Sequence, residues 1–171
     1  MDAQTGLDWF LKYFCSRIFL SPILDFYDGV AKGEYRNMFK LPHGMLEHNI
    51  ALAGSGDKPD GKPRNLVVIP NPHQWIDSHD VWRRLKELGD YREGTVWDLF
   101  ALGAAQDPNF FRNPVIALGT RFEFGEEGGE PIEQFPFIGV RHTKDGLRKV
   151  LGLIGTEPGY VGYSFLGTKQ Q

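Results

Sequence analysis

Cysteine is nearly absent from this chain: Cys15 is the one thiol among 171 residues. A lone cysteine excludes an internal disulfide framework, and within an apolar segment it reads as a small hydrophobe rather than a nucleophile. Long hydrophobic runs are missing too. The most apolar stretch, residues 7–24, is interrupted by Asp8, Lys12, Arg17 and Pro22, whereas a membrane-spanning helix needs about 20 mostly uncharged residues. No membrane partner is expected. Neither sign of charge dominates, with 19 Lys+Arg against 22 Asp+Glu and both signs spread over the two halves, so nucleic acid is a poor candidate partner. Asp2 and Asp8 stand where a secretory signal needs Lys or Arg, which with the lone thiol predicts a cytoplasmic location.

What the chain does have is 21 glycines, 11 prolines and 13% aromatic residues, a mixture that favours many turns and bulky flat side chains in the core. Its apolar and charged fractions, 41% and 24%, suit a folded chain, and the length suits a single domain over 1–171.

The spacing of Leu7, Phe10, Leu11, Phe14, Ile18 and Phe19 predicts an amphipathic helix over 7–20, and Ser21-Pro22 starts a second one reaching about residue 31. The β-branched run 65–69 reads as a strand, paired through a long polar loop with 49–52. A helix follows over 78–88, with Val81, Trp82, Leu85 and Leu88 on one face and Gly89 as its stop. Thr95 and Asp98 resemble a capping box opening another helix that reaches about residue 105.

The last third changes character. Residues 114–124, 132–142, 148–154 and 160–166 are β-rich runs separated by Gly and Pro turns, which predicts a meander. Leu147, Val150, Leu151 and Ile154 also fit helical spacing, but Gly146, Gly152 and Gly155 favour a strand.

These elements predict an α+β fold, with helices packed on one face of a curved, largely antiparallel sheet of about six strands. The layout resembles the cone of NTF2-like and SnoaL-like domains, although the two middle helices and the early hairpin depart from that order. It is an architectural likeness, and no functional residue follows from it.

Candidate chemistry gathers where a strand hands over to a helix. His73, Asp77 and His79, with His142 further on, are suited to proton transfer, since imidazole titrates near neutrality and a carboxylate can orient it. Equally, Asp77 or Ser78 caps the helix there. Metal is not expected. His43, Glu47 and His48 miss the His-x-x-Glu-His spacing of zinc peptidases. Gly54-Ser55-Gly56 leads into no helix and there is no phosphate loop, so no cofactor is expected either.

Aromatic residues suggest a second feature. Trp9, Tyr13, Trp75, Phe137 and Tyr163 could line a pocket between helices and sheet for a small apolar or aromatic ligand. Such rings could instead fill the core. A third pattern sets acidic residues, Glu123, Glu126, Glu127, Glu130 and Glu133, on one hairpin against basic ones, Arg141, Lys144, Arg148 and Lys149, on the next. This reads as a solvated surface or as the contact of a protein-interaction module. The open edges of the sheet make a homodimer a further candidate assembly.

Overall fold

The structure, a computed structural model, describes residues 15–19, 31–35, 63–71, 77–89, 91–124, 132–155 and 162–169. Its strands are β1 (Cys15–Phe19), β2 (Pro63–Asn71), β3 (Tyr91–Glu93), β4 (Val115–Ile116), β5 (Phe122–Phe124), β6 (Ile132–Thr143), β7 (Gly146–Gly155) and β8 (Tyr163–Lys169). Two α-helices, α1 (Ser78–Glu87) and α2 (Val96–Ala105), and a 3-10 helix over Pro108–Arg112 complete the described elements.

All eight strands belong to one sheet. β6 pairs along one side with β7, and along its other side with β5 at 132–134 and β4 at 137–138. In the same way β8 has β2 on one side, with β3 and β4 sharing the other. The short strands β3, β4 and β5 therefore lie between β8 and β6, and the sheet has six lateral positions: β1, β2, β8, the three short strands, β6 and β7. Every pairing is antiparallel except β4 with β8. The α+β class and the curved, antiparallel-rich sheet are those expected.

The helices, expected together on one face, divide between two. Successive side chains of a strand point to opposite faces. Leu66 and Val68 of β2 join Leu166, Ile138 and Leu151 in a core against α2. Val67 and Ile69 join Ile116, Phe165 and Phe135 in a second core against Val81 and Leu85 of α1. Consecutive apolar residues at 66–69 and 165–166 would leave one face bare under a single helical layer, so both faces are covered.

The two helices differ accordingly. α1 buries only Val81 and Leu85 and turns its charged side outward. In α2 every residue from Val96 to Gly103 is buried, so it is apolar around its circumference, as suits a core helix. The capping box opens it: Thr95 N–H donates to Asp98 Oδ2 at 2.9 Å, and Asp98 N–H donates to the Thr95 hydroxyl. Thr120 adds a long-range cap, its Oγ1 accepting from Val96 N–H at 2.9 Å.

Three further expectations are corrected. Residues 15–19, placed within a helix over 7–20, form β1; antiparallel pairing with β2 overrides the helical spacing there. The run 114–124 splits into β4 and β5 around a turn. The terminal strands do not form a meander, because β8 leaves β7 and inserts between β2 and the short central strands. Its residues Ser164 to Thr168 are all buried, and a strand buried on both faces belongs in the interior of a sheet. The expected partner of β2, 49–52, lies outside the described residues, as does most of the helix expected to end near residue 31, of which Ala31 and Lys32 are helical.

No helix among the described residues is long and apolar enough to cross a membrane.

Candidate functional site

Of the sequence-predicted residues that the structure describes, Asp77, His79 and His142 do not converge on one site. Asp77 is exposed and is the N-cap of α1, accepting from Asp80 N–H at 2.8 Å. His79 is exposed on the first turn, its ring stacked on Trp82 with centroids 5.8 Å apart. Trp82 is itself 46% exposed, with Lys86 Nζ 5.9 Å from its centroid. His142 is exposed at the far end of β6 and shares the α2 face with Ile138 and Val140, opposite the face that α1 covers. His73, Trp75, Trp9 and Tyr13 lie outside the described residues. Phe137 and Tyr163 do meet, edge to face at 5.9 Å and 84°, as half-buried members of the α1-side core. Among the described residues no group of three or more His, Cys, Asp or Glu could hold a metal ion.

A different site lies at the C-terminal end of α2. A helix leaves its last carbonyls without intrahelical partners and carries partial negative charge there. Lys149 of β7 answers both. Alternation along β7 puts Lys149 on the same face as Leu151 and Leu153, toward α2. Its ammonium donates to the Gly103 carbonyl and, at 3.2 Å, to that of Gln106. The residue is only 8% exposed. Its pKa lies below the ordinary value, because burial penalises the charged form more than Glu34 and Asp107 favour it.

Tyr35 forms the floor beneath this amine. Its ring centroid is 5.9 Å from Lys149 Nζ and 6.4 Å from the ring of Phe100. The Tyr35 hydroxyl is buried with no hydrogen-bond partner, and burial pushes its pKa well above the usual phenol value. Gly103 permits this approach, since a Cβ there would collide with the Tyr35 hydroxyl and with Ile138 Cδ1.

Beside Lys149 opens a cleft of about 380 Å³, whose walls include Lys32, Glu34, Gln106, Asp107 and Arg148. Residues of both charge signs therefore border one small volume, Lys149 with its side chain toward α2 and Arg148 with its own on the opposite face of β7. Asp107 also caps the 3-10 helix, accepting from Asn109 N–H at 2.7 Å. Arg148 Nε is buried without a hydrogen-bond partner. Glu34 adopts a left-handed φ of 52°, a conformation that costs a non-glycine residue about 1–2 kcal/mol. Such strain collects at binding positions held by their surroundings.

Sequence reasoning placed Arg148 and Lys149 on a solvated hairpin and passed over Tyr35. One signal was available for Lys149. Leu147, Lys149, Leu151 and Leu153 alternate, so the lysine sits in register with the apolar face of the strand. Comparison with protein-family models, with curated proteins and with solved structures finds no match to this chain.

Proposed function

We propose that the protein binds a small polar molecule bearing a carboxylate, in the cleft between the end of α2 and β7. The observation that carries this reading is Lys149, a buried cleft-lining ammonium with three N–H donors and, among the described residues, two acceptors, the carbonyls of Gly103 and Gln106. Buried polar groups are normally paired, and leaving a donor unpaired costs about 1–3 kcal/mol, more when charged. A carboxylate supplies the acceptor for the third. Lys32 adds a second cation to the same cleft. The volume, about 380 Å³, suits a metabolite-sized molecule rather than a polymer.

The apolar pocket that the aromatic content suggested would take in Trp9, Tyr13 and Trp75, which lie outside the described residues, and it is separate from this cleft. Tyr35, Trp97, Phe100, Phe110 and Phe111 pack in or against the α2-side core, so these rings serve packing. The cleft is left to polar groups.

Calorimetric titration with a panel of small mono- and dicarboxylates, beside matched amides, tests the proposal. Saturable binding of at least one carboxylate is expected, weakened about tenfold or more in Lys149→Met, in line with a charge-assisted hydrogen bond. Absence of binding across the panel, or equal affinity in Lys149→Met, overturns it.

A further inference from the structure

We propose that the ligand of this cleft is an α-amino acid in its zwitterionic form, with its carboxylate on Lys149 and its ammonium held by Glu34 and Asp107; this rests on the carboxylate reading of the same cleft. Both signs of charge border the cleft, yet these opposite charges are not spent on each other. Lys149, 8% exposed, gives two of its three N–H bonds to the carbonyls of Gly103 and Gln106 and makes no ion pair among the described residues. The Glu34 carboxylate has no hydrogen bond or ion pair among the described residues. Asp107 accepts on Oδ1 from Asn109 N–H.

Tertiary structure keeps these groups apart. Lys149 is tied to the end of α2, and Asp107 is tied to the 3-10 helix that it caps, so neither can close on the other without giving up those bonds. Glu34 is set by a left-handed backbone, with φ of 52°. Opposite charges fixed apart on the walls of one small cleft are complementary to a molecule that carries both signs itself.

The same carboxylates decide between a zwitterion and a plain acid. Glu34 and Asp107 both act electrostatically on Lys149, so they act as well on any anion that Lys149 holds. A bare carboxylate there is attracted by one ammonium and repelled by two acids. An ammonium on the adjacent carbon turns that repulsion into attraction and supplies donors for the open acceptors of Glu34 and Asp107.

Paired titrations of the full chain test the proposal. Thermal shifts with each standard amino acid and its des-amino acid, such as alanine beside propionate or glutamate beside glutarate, select the tightest pair for calorimetry. The amino acid is expected to bind about tenfold or more tighter than its des-amino partner, the gain of one charge-assisted contact. In the double variant Glu34→Gln, Asp107→Asn, the amino acid should weaken about tenfold or more, while the des-amino acid binds as well as before or better because the repulsion is gone. Both replacements keep side-chain size, and asparagine still caps. A folded variant that weakens the two ligands alike overturns the assignment of these carboxylates. If the variant fails to fold, the wild-type pair decides in its place. Equal affinity for the two members of every pair overturns the inference and leaves the carboxylate reading standing; where nothing binds, both fall.

Discussion

The Lys149 ammonium, carried on β7, donates to the main-chain carbonyl of Gly103 near the end of α2, 46 positions earlier in the chain. An outer strand of the sheet thereby closes the end of the most buried helix. Replacing Lys149 with Met keeps the apolar stem and removes the donor, leaving the Gly103 carbonyl unpaired. A net loss of about 1 kcal/mol is expected at neutral pH, the lost hydrogen bonds outweighing relief of a buried charge. The loss should widen in alkali. The folded pKa of Lys149 lies below its ordinary 10.5, so between those two values the unfolded chain binds more protons and the wild type gains stability as pH rises. The variant lacks that gain. Urea unfolding at a series of alkaline pH values would show the two curves diverging; parallel curves would contradict this.

Gly103→Ala sets helix propensity against packing. Alanine in a helix interior gains about 1 kcal/mol over glycine. Here the new methyl group would strike the Tyr35 hydroxyl and Ile138 Cδ1, and overpacking costs about 1–3 kcal/mol. Packing should win, with a net loss of about 1 kcal/mol and a changed tyrosine signal in near-ultraviolet circular dichroism. A stabilised Gly103→Ala would mean that Tyr35 moves aside freely.

Thr120→Val is nearly isosteric and removes the acceptor for Val96 N–H. Thr120 is fully buried, so water cannot replace the lost partner. The expected cost is about 1–2 kcal/mol, that of a missing helix cap, read as a lower urea midpoint with an unchanged slope. Thr120→Ser keeps the hydroxyl and should recover most of the loss.

Glu93 closes β3, and burial raises its pKa above the ordinary 4.5. Between 4.5 and the raised value the folded state holds more protons than the unfolded one, so stability falls as pH rises through that window. Glu93→Gln has no charge to bury. It should flatten this part of the profile and exceed the wild type at neutral pH, as thermal melts from about pH 4 to about pH 7 would show. An unchanged slope would place the acid-side dependence on other carboxylates.

Local chemistry was legible in the sequence. Thr95 and Asp98 form the expected capping box, and Gly89, at the C-terminal end of α1, has the positive φ expected of a stop. Gly146, with φ of 105°, makes the turn between β6 and β7. β7 is a strand, as its glycines indicated over the competing helical spacing. The candidate site was harder to read, because its parts lie on separate segments: Lys32, Glu34 and Tyr35, then Gln106 and Asp107, then Arg148 and Lys149. None of these forms a motif by itself.

The sequence by itself determined the boundaries of α1 and α2, the turn at Gly146 and the α+β class, because caps, glycines and side-chain periodicity act within a few residues of chain. Tertiary structure alone decided that 15–19 is a strand, that β8 enters the middle of the sheet, and that Lys149 meets Gly103. Strand pairing and burial join residues far apart in sequence, and their energies override local preference where two faces of one sheet must both be covered.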